Sequence, residues 1–131
     1  MKKFLVIQLS RMGDIIFTLP LLSSLKEEHP GCEISVLSYK VYNRVILPSA
    51  LIDRHIEVDY GQIEKVAELA SSGTAAENGF GELTETYDAV INLAYGPAPA
   101  AICSSIDAPV KHGRIASQKN EVRLQGLWMK Y

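Results

Sequence analysis

Apolar residues recur along this chain in two rhythms, and the alternation between them predicts a layered α/β domain. Phe4 to Leu9 is an almost unbroken apolar run with β-branched Val6 and Ile7, the pattern of a strand buried on both faces of a parallel sheet. Ser10-Arg11-Met12-Gly13-Asp14 then supplies a turn, with Gly13 expected at positive φ and Asp14 expected to cap the first free N–H groups of a helix. That helix runs from Ile15 to about Glu28, and Ile16, Leu19, Leu22 and Leu25 predict the stripe that packs on the sheet. Pro20 falls inside it. An interior proline costs about 3 kcal/mol unless Thr18 caps a restarted turn, so a kink or break is expected there. His29-Pro30-Gly31 ends the helix.

The same alternation continues. Glu33 to Leu37 predicts a second strand, Ser38-Tyr39-Lys40 a turn, and Val41 to Leu47 a helix ended near Pro48. His55 to Asp59 predicts a third strand, followed by a turn at Tyr60-Gly61 and a helix from Gln62 whose face carries Ile63, Val66, Ala67 and Ala70. Ser71 to Gly81 holds three glycines among small and polar residues, and its weak apolar content predicts a mobile stretch without a packed element. A short helical piece over Phe80 to Thr86 leads into a fourth strand, Tyr87 to Leu93, apolar on both sides at Ala89-Val90-Ile91. A small-residue helix over Ala98 to Ile106 and a fifth strand over Val110 to Ile115 complete the series. The resulting fold class is α/β: a Rossmann-like three-layer domain with a mostly parallel sheet.

Composition narrows the function classes. A chain of 131 residues with 47% apolar content has the usual size of one domain with a real core. A formal charge of −2 leaves no electrostatic footprint for nucleic acid. Cys32 and Cys103 lie far apart and read as free thiols of a cytoplasmic protein. Lys2-Lys3 precede an apolar run, but Gln8, Arg11 and Asp14 interrupt it before a signal-peptide core forms. No stretch offers the roughly 20 apolar residues of a membrane span, so any membrane contact is expected to be peripheral.

In open α/β sheets ligands collect beyond the carboxyl ends of the strands, which makes the first turn the leading candidate site. It carries one glycine rather than Gly-x-Gly-x-x-Gly, so neither a dinucleotide fingerprint nor a P-loop is present. Asp14 also places negative charge where a phosphate would compete for the same donors. Such a turn suits a neutral or cationic group, for example a sugar hydroxyl. On residue chemistry alone, Asp14 reads first as a helix cap.

Ser10, Met12, Gly13 and Asp14, followed by Thr18 and Pro20 in the helix, resemble the opening of glycosyltransferase family 9, the heptosyltransferases of lipopolysaccharide core assembly. Tyr87-Asp88-Ala89-Val90-Ile91-Asn92-Leu93 and Ile106 to Arg114 resemble later segments of that family in the same order. The Ala94-Tyr95-Gly96-Pro97 turn departs from the polar turn expected after the fourth strand. The resemblance implies the N-terminal half of a GT-B fold, residues 1–131 forming the acceptor-binding domain, with a C-terminal nucleotide-sugar domain beyond it and the present chain a fragment inactive by itself. It implies an inverting transfer of heptose from an ADP-sugar to a hydroxyl of inner-core lipopolysaccharide, with no cofactor and no metal, in the cytoplasm at the inner-membrane face. Asp14 would be the catalytic base.

Ser10, Arg11, Met12 and Gly13 share that turn and are candidate acceptor contacts, Arg11 reading equally as surface filler. Lys40 and Arg44, four residues apart, would converge on one anion of the acceptor, or else lie solvated on a charged helix face. Asn92 and Arg114 end strands on the ligand side and are the remaining acceptor candidates. Two rivals stand beside the enzyme reading: a stand-alone Rossmann-like module for a small metabolite or nucleotide, and a non-catalytic interaction domain in which Asp14 is only a cap.

Overall fold

The computed structural model describes residues 2–9, 12–42, 49–116 and 122–125, with backbone alone for Met12, Gly13, Ile15, 114–116 and 122–125. In chain order they form β1 (Lys3–Ile7), α1 (Met12–Glu28), β2 (Glu33–Tyr39), β3 (Arg54–Val58), α2 (Ile63–Ser72), β4 (Ala89–Asn92), α3 (Pro97–Ser105), β5 (Val110–Ala116) and β6 (Val122–Gln125). Single 3-10 turns lie at Lys40–Tyr42, Ala76–Asn78 and Gly81–Thr84. The sheet order is β3-β2-β1-β4-β5-β6. β1 to β5 pair parallel and β6 closes the edge antiparallel to β5. This is the Rossmann-like α/β architecture that the apolar runs predict, with β6 as an addition they do not show.

β1 is the central strand because it tolerates burial on both sides: Leu5, Val6 and Ile7 have no exposed surface. Its alternation splits the core in two. Phe4 and Val6 join Leu22, Ile34, Val36 and Ile91 under α1, whereas Leu5 and Ile7 join Val66, Tyr87, Val90 and Ile102 under α2 and α3. Two apolar layers on one sheet give the three-layer domain.

α1 corrects the sequence reading in three ways. It starts at Met12, so Gly13 is helical and Asp14 lies in the first turn rather than at the cap. It runs through Pro20 as one helix instead of breaking there. Its packed positions are Thr18 and Leu22, with Leu19, Leu21 and Leu25 half-buried, while Ile16 is exposed. At about 100° per residue, Ile16 lies roughly 120° around the helix from Leu22, so the two cannot share one face.

The segment expected to be loose is also held. Gly73 and Gly79 take positive φ, and between them Ala75 is buried and its carbonyl accepts the Phe80 N–H at 2.9 Å. Left-handed turns at glycine let a weakly apolar chain fold back on itself. The fourth strand is shorter than predicted, yet Tyr87 just ahead of it is a fully buried side chain. The helix expected over Val41 to Leu47 is a 3-10 turn as far as Tyr42, and its remainder lies outside the described residues.

A polar cluster ties the amino ends of the strands together. Arg54 pairs with Glu33 at 2.9 Å and, with two nitrogens, with Glu85 at 2.8 and 3.2 Å, and Lys3 also pairs with Glu85. The Arg54 guanidinium first and the Lys3 ammonium next hold the Glu85 carboxyl down at about 2. Burial pushes the Tyr87 phenol up to about 12, and its hydroxyl donates to the Glu82 carbonyl at 2.8 Å while accepting from Arg54. Charge therefore gathers at the end of the sheet opposite the candidate site.

Candidate functional site

The chain builds β1, β2 and β3 outward in one direction and then returns to place β4 on the other side of β1. After β1 it passes into α1 over one face, and after β4 into α3 over the other. The carboxyl ends of β1 and β4 thus form the switch point where an open α/β sheet leaves a crevice. A pocket of about 350 Å³ lies there, lined by Gln8, Asp14, Phe17, Thr18, Leu21, Leu93 and Tyr95.

Asp14 reaches this pocket because α1 begins directly beyond β1 and its first turn overhangs the strand ends. The carboxylate is exposed, and a negative side chain is favoured in a first helical turn. Thr18 sits one turn later and is buried; its hydroxyl donates to the Asp14 carbonyl at 2.7 Å and accepts from Gln8 Nε2 at 3.2 Å. Gln8 itself follows β1, held by a backbone bond to the Leu37 carbonyl at 3.0 Å. The end of the strand and the first turn of the helix that carries Asp14 are therefore hydrogen-bonded to one another. Exposed Phe17 and Tyr95 form apolar walls.

A group of three tyrosines stands on the same rim. Tyr39 and Tyr60 stack with ring centroids 4.2 Å apart, and the Tyr42 and Tyr60 hydroxyls are 2.7 Å apart. Burial, the Tyr60 hydroxyl bonded to it, Tyr39 and the Asp14 carboxylate together push the Tyr42 phenol up to about 12. Tyr42 is thus a neutral hydroxyl within electrostatic reach of Asp14. A second pocket of about 520 Å³, between α2 and α3, shares Tyr95 with the first and is walled by Leu9, Tyr39 and Pro97. Pro97 and Pro99 occupy the first turn of α3, removing two of the N–H groups that would otherwise hold an anion there.

The other predicted residues divide unevenly. Met12 and Gly13 lie in the first turn of α1, next to Asp14. Ser10, Arg11 and Arg44 lie outside the described residues. Lys40 is exposed on the 3-10 turn after β2 and is not among the residues that line the Asp14 pocket. Asn92 is buried, and its Oδ1 accepts the Ala94 N–H at 3.0 Å, shaping the turn after β4. Arg114 stands in β5 opposite Leu124, one residue beyond the Asn92–Gly113 pair, with its side chain outside the described residues. Gln8, Phe17 and Tyr42 were missed as site residues. A lone glutamine closing an apolar strand and an aromatic residue off the packed stripe of α1 were the available signals.

A family 9 glycosyl transferase from Veillonella parvula superposes with a TM-score of 0.69 at 26% identity, over 86% of this chain and 31% of that one. The E. coli heptosyltransferase WaaC, solved with ADP, gives 0.65 at 24% identity over 85% and 36%. The E. coli ADP-heptose lps heptosyltransferase II gives 0.62 at 19% over 86% and 30%. The chain resembles glycosyltransferase family 9 in structure. It spans about a third of the length of the solved structures it matches. No protein-family model and no curated protein matches it. A glycosyltransferase-like domain is what the likeness supports, and the neighbours share a GT-B, Rossmann-like fold.

Proposed function

We propose that this domain is the acceptor-binding half of an inverting, heptosyltransferase-like glycosyltransferase, with Asp14 as its catalytic base. The observation that carries this reading is the placement of Asp14 in the first turn of α1, in a pocket between the carboxyl ends of β1 and β4. The likeness to a heptosyltransferase solved with ADP, and to one solved with ADP-2-deoxy-2-fluoro heptose, supports a nucleotide sugar as donor. The acceptor would be a hydroxyl of inner-core lipopolysaccharide, met at the cytoplasmic face of the inner membrane, and the reaction would need neither cofactor nor metal.

In this mechanism the acceptor hydroxyl donates its proton to the Asp14 carboxylate as its oxygen bonds to the anomeric carbon. The bond from that carbon to the diphosphate oxygen breaks, the ADP leaves with the electron pair, and the configuration inverts. A base within hydrogen-bond reach contributes about 10²- to 10⁴-fold to such a step. The stand-alone nucleotide module is disfavoured, because negative charge opens α1 and prolines open α3 where phosphates would bind.

The test is Asp14→Asn in the full-length protein, assayed for ADP release with ADP-heptose and a core acceptor. Expected is a fall in kcat of about 10²- to 10⁴-fold with a Tm lowered by a few degrees at most, since Asn is nearly isosteric and only the charge near the helix dipole is lost. An Asp14→Asn enzyme working at the parent rate would remove Asp14 from the chemistry.

A further inference from the structure

Gln8 carries an unmet hydrogen bond at the site. The Thr18 hydroxyl has one hydrogen and gives it to the Asp14 carbonyl at 2.7 Å, so toward Gln8 it acts as an acceptor. The Gln8 amide must then present Nε2 to Thr18, as the 3.2 Å contact has it, and this fixes which way the amide faces. Its Oε1 is left buried with no donor among the described residues, in a residue only 5% exposed that lines the Asp14 pocket. Buried acceptors nearly always find a partner, and leaving one unmet is unfavourable. Gln8 lines the Asp14 pocket, so a donor that settles there is the one within reach of this oxygen.

We infer that Gln8 is a second recognition residue of this pocket, its Oε1 accepting a hydrogen bond from another hydroxyl of the sugar ring whose reacting hydroxyl faces Asp14. The inference rests on the sugar-transfer reading and adds to it a ligand class. A pocket of about 350 Å³ has room for one ring, and its two acceptors favour a polyol over a phosphate or a carboxylate. Gln8 positions the ring and takes no proton.

The experiment titrates the 131-residue chain with methyl α-D-mannopyranoside and its 2-, 3- and 4-deoxy analogues, following amide shifts by NMR, and compares the parent with Gln8→Met and Asp14→Asn. Expected is that one deoxy analogue binds the parent chain about three- to tenfold more weakly than the complete sugar, the loss of one hydrogen bond. In Gln8→Met that difference disappears, the signature of a coupled pair, while the lost Nε2 bond to Thr18 lowers Tm by a few degrees. A deoxy penalty that persists in Gln8→Met overturns the inference but leaves the Asp14 reading standing. Equal affinity of the parent for all four sugars also overturns it, since a fixed water then serves Oε1. If no sugar shifts the Asp14 amide, the sugar-transfer reading falls as well, and a deoxy penalty lost in Asp14→Asn but kept in Gln8→Met would assign the contact to Asp14 and overturn the inference.

Discussion

At the scale of single residues, Asp14 and Gln8 show how neighbours decide what a side chain can do. Asp14 is one of many acidic residues in the chain, but among the described ones it alone lines the crevice between β1 and β4. Its position, in the first helical turn instead of at the cap, separates structural from chemical roles cleanly: Asp14→Asn removes a favourable charge near the helix dipole, about 0.3–1 kcal/mol, but leaves the fold intact. Thr18→Val is the opposite kind of change. It keeps shape and deletes both the bond to the Asp14 carbonyl and the acceptor for Gln8 Nε2. A loss of about 1–3 kcal/mol is expected, read as a fall in Tm of roughly 4–12 °C in a thermal melt. An unchanged Tm would show that the Gln8–Thr18–Asp14 link adds nothing to stability.

At the scale of elements, the ends of the strands divide labour. The carboxyl ends carry the pocket and the tyrosine group, and the amino ends carry the ion pairs of Lys3, Glu33, Arg54 and Glu85. Glu85 titrates at about 2 in the folded chain, below its ordinary value near 4.5. The folded state therefore binds fewer protons than the unfolded state between those values, and stability falls as pH drops through that window. Both partners are about one-third exposed, so solvent limits the contribution to about 1 kcal/mol or less. Glu85→Gln is expected to lower stability at pH 7 and to flatten the acid limb of a stability-versus-pH curve. A mutant whose acid limb matches the parent would show that other carboxylates control it.

At the scale of the whole molecule, the proposed two-half reading sets what this chain does alone. The chain spans about a third of the structures it matches, and on that reading the nucleotide sugar is held by residues beyond this domain. The 131-residue chain is therefore expected to bind a sugar weakly and to release no ADP from ADP-heptose above background. Turnover by the chain alone, measured with a coupled ADP assay, would overturn the two-half account. Among the described residues no helix is long and apolar enough to cross a membrane.

The linear sequence determined the strands, their burial and the carboxylate after β1. A parallel strand flanked by helices must be apolar throughout, and that run is visible in one dimension at Phe4 to Ile7 and at Ala89 to Ile91. It could not show the face of α1, because Ile16 and Leu22 are both apolar and only packing against Val6 and Val36 selects between them. Nor could it show β6, whose antiparallel pairing with β5 is set by a partner strand and not by its own residues. The pocket belongs wholly to tertiary structure. Gln8 and Tyr95 are 87 residues apart in the chain, and they meet because β4 returns to the side of β1 that β2 leaves open.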